Sequence, residues 1–530
     1  MLTRATMHIS FGRMLRDDKG AVLMCGVLFA QNVPGLSAAG FAEALQKQSW
    51  RGPDKQNIEA LEDGLFLGHV RLSIIDPVER SSQPFTSTDG RFRILFNGEI
   101  YNHETLRNDL NLKCRTKSDT ETIVEGFNSV GPKIFDMLDG MFAIIIFDSK
   151  TGDIWSVRDR YGIKPLYMYR RSGALIFSSE CISIRELVEC TVDPESLDEW
   201  RLLRQPMRGK SFFREIDNVL PGTVMKNGIV RFELEGFSRS GVPFDQKTLE
   251  DIVSQSVAAH ELSDVENVAL LSGGVDSSLI TALSSCKAVY TVGTNTNNEF
   301  AAARETAALL NRSITEVRLE NDDLETALRE LTRLKGEPLY VPNEALIYSV
   351  CRNMKPEQKV VLTGEGADEV FFGYDRIFRW AVGQARIDLR EFLSLYGYAS
   401  VDYMTPRLKT DLEELLADQT PIEFVEDFFF LYHLPTLLRR MDFASMAASK
   451  EARVPFVSRA LIEFMYRVDP RVRLDDEASK KPLRKILRDL GLAGVLERKK
   501  IGFSATPVAG MTRLEEYKRF QDINLELLGW

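Results

Sequence analysis

Two glycines stand between an apolar strand and a helix in LLSGGVDSS, residues 270–278. Backbone amides in such a turn can wrap a phosphate. Gly273 and Gly274 permit close approach, and Ser272, Ser277 and the amino end of a helix from Asp276 supply donors for pyrophosphate. No lysine follows, which excludes the GxxxxGK(S/T) loop that holds β and γ phosphates. A second loop, LTGEGADEVFFGY at 362–374, also follows a strand and gathers Glu365, Asp368 and Glu369 at its carboxyl end, which faces the site in a parallel sheet. Three crowded carboxylates beside a triphosphate suit Mg2+, a hard cation that takes oxygen ligands, and Asp276 would complete its shell. Taken singly, the first loop could be a plain strand-to-helix turn and the second a solvated acidic loop.

Such loops need a parallel α/β sheet behind them. VENVALL, a helix from Asp276, AVYTVGT, NEFAAARETAALLNR and KVVLTG alternate strand and helix in that manner. Beyond about 376 the apolar spacing is helical almost throughout, which predicts a helical cap. Residues from about 25 to 230 read differently: LFLGHVRLSIID, RFRILFNGEIY, MFAIIIFDSKTGDIWSVRDR and ALIFSSE are strands separated by turn signals, a β-rich layered domain. FELEGFSRSGVPFDQ at 232–246 mixes Gly, Ser and Pro and predicts a linker.

A chain of 530 residues, 44% hydrophobic and 27% charged, is long enough for two domains with separate cores. A formal charge of −10 without a basic stripe argues against nucleic acid, leaving small solutes as the expected partners. Six cysteines at 25, 114, 181, 190, 286 and 351 form no CxxC or paired pattern, so neither a disulfide framework nor a zinc site is indicated, and a reducing cytoplasm fits. MFAIIIF at 141–147 is too short to span a bilayer, and the first 23 residues lack the apolar core and cleavage site of a secretory signal. A homodimer is allowed but not required by these residues.

The ordered motifs resemble the glutamine-dependent asparagine synthetase family from Cys25 to about Pro507. MCGV, RGPD (51–54), HVRLSIID, FNGEIYNH (96–103), SDTE (118–121), LDGMFA and RDRYGIKPLY are similar to its glutaminase half. LSGGVDSS, TGEGADEVFFGY, LPTLLRRMDFASMAASKEARVPF (434–456) and KKIGF are similar to its synthetase half. The resemblance implies an αββα Ntn-hydrolase glutamine amidotransferase domain over 25–232. It implies an α/β ATP pyrophosphatase domain with a parallel sheet and helical cap over 247–530.

By the same resemblance, Cys25 is the nucleophile that attacks the glutamine amide, with its own free α-amino group as base. Reference values of about 8.5 for the thiol and about 7.7–8.0 for the amine make that transfer nearly thermoneutral. An acylated nitrogen cannot serve, so residues 1–24 are expected to be absent from the mature protein, through a start at Met24 or removal of a propeptide. The start at Met24 is preferred: Met before a small residue is normally clipped, and KGAV at 19–22 can be encoded so as to contain a ribosome-binding site. Asn97 and Gly98 would form the oxyanion hole, and Arg71, Glu99 and Asp119 would bind the glutamine carboxylate and amine. His69 and His103 are read as structural.

In the second half, the resemblance places Leu271, Ser272, Gly273, Gly274, Asp276, Ser277, Val292, Thr363 and Gly364 on ATP, and Asp276 and Asp368 on Mg2+. Relatives that close β-lactam rings have tyrosine where this chain has Glu365 and tend to lose the amino-terminal cysteine, so ammonia transfer is favoured here. Lys480 matches the lysine that steadies the charged intermediate, although Lys481 is adjacent and the register could slip. The implied reaction activates a carboxylate as an acyl-adenylate, which ammonia channelled from Cys25 then converts to an amide.

SSQPF at 81–85, Ser458 in place of the usual aspartate, and GTNTNNEFAAARE at 293–305 depart from the family pattern. They leave open an acceptor other than L-aspartate, and internal cyclisation without ammonia as a rival. A non-catalytic sensor would need eroded positions, whereas Cys25, Asp276, Glu365 and Asp368 are intact.

Overall fold

The computed structural model describes residues 26–52, 55–61, 64–71, 82–475, 478–498 and 512–530. Cys25, the segment 1–24, Asp54 and KKIGF at 499–503 lie outside the described residues.

Two antiparallel sheets form the first half. One runs Ile216–Asn218, Tyr167–Arg171, Ala174–Ser178, Gly26–Gln31, Leu65–Arg71, Lys55–Leu61; the other runs Ile229–Glu233, Thr223–Lys226, Ile154–Arg158, Gly140–Asp148, Phe92–Ile100, Phe85–Thr86. Val27, Phe29, Leu65 and Leu67 of the first sheet meet Leu95, Ala143 and Ile145 of the second. The opposite faces are covered too. Leu28 and Ala30 pack on Phe41 and Leu45 of helix Ala38–Gln46, and Ile94 and Ile144 pack on Ile123 and Phe127 of helix Asp119–Val130. The central strands of each sheet are therefore dry on both faces, which is why MFAIIIF is continuously apolar rather than alternating. The layering is αββα.

The second half holds a wholly parallel sheet in the order Ser313–Leu319, Ala288–Thr294, Glu266–Leu270, Gln358–Leu362, Glu451–Arg453. Chain order reverses between Glu266–Leu270 and Gln358–Leu362, so the loops after these two strands flank a topological switch point, where open α/β sheets bind ligands. The fifth strand lies inside the stretch read as helical. Its three residues are all buried and too few to show a period of two. Helix Val275–Leu283 begins one residue before the expected Asp276. Among the described residues no helix is long and apolar enough to cross a membrane.

Apolar and charged contacts join the halves. Trp200 donates its indole N–H to the Leu339 carbonyl at 2.9 Å, and the Trp50 and Phe443 rings meet edge-on at 5.3 Å. Arg51 of the first half contacts Glu180 at 2.6 Å and Asp442 of the second half at 2.9 Å. Arg439 closes on Glu180 at 2.5 Å, and Lys164 lies 3.3 Å from Asp442 and 3.5 Å from Glu451. Arg453 then links Glu451 to Glu99, each at 2.9 Å. Burial alone would raise the Asp442 carboxyl, but Arg51, Lys164 and Arg439 hold it below the usual carboxylate range.

Replacing Asp442 by Ala strands Arg51 and Lys164 without their shared anion. Leaving a buried charge uncompensated costs about 3–5 kcal/mol. Calorimetry of Asp442→Ala should show a clear drop in Tm, and an unchanged transition would contradict the network's role.

Candidate active site

The first cluster grows from two strands of the first half. Gly26 pairs with Val70, so Arg71 lies at the end of its strand beside Gly26. Arg71 is buried and donates from Nη1 to Ser82 Oγ at 3.2 Å. The next residue, Gln83, accepts the Phe96 N–H at 2.5 Å and donates to the Phe96 carbonyl at 3.0 Å, tying this side to the strand that carries Asn97, Gly98 and Glu99. Gly98 has φ +151°, and a Cβ there would fall 1.9 Å from the Met141 carbonyl oxygen, so only glycine fits. Asp119 opens its helix. Its Oδ2 accepts the Ile100 N–H at 3.1 Å and its Oδ1 accepts the Thr120 N–H at 2.8 Å.

Asn97 Nδ2 and Glu99 Oε1 are buried without a hydrogen-bond partner among the described residues. Buried polar atoms are normally satisfied, so this pocket has a donor and an acceptor in reserve for a polar ligand. Burial, then repulsion from Asp119, pushes the Glu99 carboxyl well above its ordinary value against the pull of Arg453. Burial raises Asp119 as well, with His103 opposing. Burial and the neighbouring Arg71 bring His69 down to about 3, leaving a neutral imidazole.

The second cluster sits at the switch point. Gly273 has φ +82°, and a Cβ on it would meet the Ala302 carbonyl carbon at 2.7 Å. Ser277 Oγ accepts the Ser272 N–H at 3.1 Å and lies 3.0 Å from Ser272 Oγ, so the hydroxyls of the turn face one another. A Cβ on Gly364 would lie 2.9 Å from Asp276 Cβ and 3.0 Å from the Ser277 nitrogen, so the two loops touch. The Leu271 N–H donates to the Tyr290 carbonyl at 2.8 Å, Val292 lies within strand Ala288–Thr294, and the Thr363 N–H donates to the Arg453 carbonyl at 3.0 Å.

Lys480 joins these loops. Its Nζ is 2.7 and 2.6 Å from the two oxygens of Asp276 and 2.5 Å from Asp368 Oδ1. Lys481 turns away to Asp475, so of the two adjacent lysines Lys480 is the one that meets both loops. Lys480 holds φ +54°, left-handed for a non-glycine residue, a strained geometry typical of functional positions.

The three acidic residues of the second loop do not act as one group. Asp368 shares Lys480 with Asp276, Glu365 pairs with Arg440, and Glu369 is buried where the Tyr374 hydroxyl donates to it at 2.7 Å. Burial, Asp368 and Glu365 push Glu369 up to about 8. No group of three or more His, Cys, Asp or Glu poised for a metal occurs among the described residues. The two-carboxylate set fits Mg2+ all the same, because that ion uses one or two carboxylates and fills its shell with phosphate oxygens and water.

Reading the sequence missed Arg440, Asn343, Tyr374, His433 and Arg453. Arg440 holds Glu365 and donates to Asn343 Oδ1 at 3.2 Å, while His433 Nε2 lies 2.8 Å from the Tyr374 hydroxyl. Arg440 and Arg453 stand inside the motif 434–456, but nothing in residue type separates a buried arginine from a surface one.

The fold and both clusters define a class: a layered amidotransferase-type half joined to a doubly wound half with a phosphate-type loop. Residues 24–235 match the family model described as glutamine amidotransferase domain, and residues 248–526 match that described as asparagine synthase. The chain belongs to the asparagine synthase family. Asparagine synthetase (glutamine-hydrolyzing) 3 of Bacillus subtilis (strain 168) is 28% identical, over 86% of this chain and 83% of its own. Asparagine synthetase (glutamine-hydrolyzing) 1 of the same organism is 28% identical over 91% and 87%, and the maize (Zea mays) enzyme 28% over 84% and 70%.

Gly364→Ala should force the two switch-point loops apart, since backbone atoms surround its missing Cβ. Overpacking of this kind costs about 1–3 kcal/mol. Thermal unfolding should show a Tm lowered by several degrees, and an unchanged Tm would mean the loops do not pack as described.

Proposed function

We propose that this protein is a glutamine-dependent asparagine synthetase, converting L-aspartate, L-glutamine and ATP to L-asparagine, L-glutamate, AMP and pyrophosphate. The observation that carries the reading is Lys480, which draws Asp276 of one loop and Asp368 of the other onto a single ammonium at the switch point. The catalytic halves are 25–232 and 247–530, the mature chain begins at Cys25, and the reaction runs in the cytoplasm.

In the first half Arg71 takes the glutamine carboxylate, and Glu99 and Asp119 take its ammonium. The Cys25 thiolate attacks the amide carbon after its proton passes to the α-amine. Asn97 Nδ2 and the Gly98 N–H receive the oxyanion. The amine returns its proton to the departing nitrogen, ammonia leaves, and water hydrolyses the thioester to glutamate.

In the second half the Ser272–Ser277 turn takes the pyrophosphate of ATP, with Leu271, Val292, Thr363 and Gly364 along the nucleotide. Asp276 and Asp368 would hold Mg2+, which neutralises phosphate charge when bound. The acceptor carboxylate attacks the α-phosphorus, pyrophosphate leaves, and ammonia displaces AMP from the acyl-adenylate. Lys480 stabilises the charge that develops at the reacting centre, and Glu365, oriented by Arg440, takes the proton that the nitrogen loses.

Pyrophosphate release from ATP and Mg2+ with ammonium chloride should depend on L-aspartate and yield asparagine. A folded protein silent with aspartate but active with another carboxylate would reassign the acceptor. Asp276→Asn should lower this release about 100-fold or more, the scale of losing one preorganised charged group. Cys25→Ala should abolish glutamate formation, leaving ammonium as the usable nitrogen source. Sequencing of the native amino terminus should find Cys25 first, and full glutamine hydrolysis by a chain that starts at Met1 would contradict the amine's role as base.

A further inference from the structure

The strand Glu451–Arg453 belongs to the sheet of the second half, yet its last side chain ends in the glutamine pocket of the first. Arg453 is fully buried. Its Nε donates to Glu451 Oε1 at 2.9 Å, and its Nη1 donates to the carbonyls of His260 at 3.0 Å and Leu262 at 2.5 Å. These three anchors all come from the second half, and they fix the plane of a rigid guanidinium. The remaining nitrogen, Nη2, donates to Glu99 Oε2 at 2.9 Å. Glu99 Oε1 is left buried and without a partner among the described residues. One carboxylate oxygen is thus held and the other is open.

We propose that Arg453 is a positioning residue for the glutamine site: it orients Glu99 so that Oε1 is presented to the glutamine α-ammonium. This rests on the assignment of Glu99 to that ammonium. The electrostatic need is plain. Glu99 is taken out of water beside a second buried carboxylate, Asp119; burial and that neighbour raise its carboxyl, and Arg453 is the foremost group opposing them. The backbone of Arg453 meanwhile pairs with Leu362 and accepts the Thr363 N–H at 3.0 Å. The first half's binding site is therefore incomplete without a side chain whose backbone borders the nucleotide loop of the second.

The test compares wild type, Arg453→Met and Arg453→Lys in two assays of the full enzyme: glutamate formation across a glutamine series, and ammonium-dependent pyrophosphate release. Arg453→Met should raise the glutamine KM about 10- to 100-fold, the range expected when a hydrogen bond to a charged group is lost. Its ammonium-dependent kcat should stay within about threefold of wild type, since only uniform binding in the other site has been removed. Arg453→Lys, which restores a cation without the fork, should recover part of the glutamine KM. An unchanged glutamine KM in Arg453→Met, or parallel loss of both activities with no recovery in Arg453→Lys, overturns the proposal. If Arg453→Met does not fold, Arg453→Lys decides alone: a raised glutamine KM with intact ammonium kcat supports the proposal, and wild-type values or parallel loss refute it. Wild-type enzyme that forms no glutamate would instead refute the assignment of the glutamine site itself.

Discussion

Eight buried charges run in one unbroken chain across the junction of the halves: Arg51, Glu180, Arg439, Asp442, Lys164, Glu451, Arg453 and Glu99. Each half supplies two basic and two acidic side chains, and five of the ion pairs cross the junction. Ions removed from water at this depth are tolerable only when paired in good geometry. Misalignment of the halves would leave several of them unpaired at once, so the network restricts docking to one arrangement, while Trp200, Trp50 and Phe443 supply apolar contact that is less particular about angle.

That single arrangement fixes the two candidate sites relative to each other. Helix Leu434–Ala447 presents Arg439 and Asp442 to the first half and Arg440 to Glu365. Strand Glu451–Arg453 does the same at the next position along the junction, with its guanidinium on Glu99 and its backbone beside Thr363. A reaction that makes ammonia in one place and spends it on an adenylate in another needs this rigidity, because water would protonate the nucleophile and hydrolyse the activated acyl group. The buried charges hold the geometry, and apolar residues of both halves pack around them.

Much of this was legible in the residues, and the rest was hidden for definite reasons. The two ligand loops announced themselves because glycines there are forced: Gly273 by its backbone angle and the nearness of Ala302, Gly364 by contact with Asp276. The strands feeding them were readable as short apolar runs between turns. The edge strand was not, since three buried residues carry no period. Acidic spacing overstated the unity of the second loop, because Glu369 turns to Tyr374 and away from the pair that shares Lys480. The arginines of the junction were beyond reach for another reason. Their partners are distant in sequence, 391 residues for Arg51 and Asp442 and 354 for Glu99 and Arg453, and only the folded chain shows that they are buried.

The central claim of the proposed function is that nitrogen released from glutamine in the first half passes directly to the second. The measurement that tests it most directly supplies glutamine labelled with 15N in its amide, together with ATP, aspartate and unlabelled ammonium held below the level that supports ammonium-dependent synthesis, and determines the isotope content of the amide nitrogen in the product. Product that keeps the glutamine label is the expected result. Label diluted to the level of the bulk ammonium would show that the nitrogen passes through solvent, and the account of direct passage would be wrong.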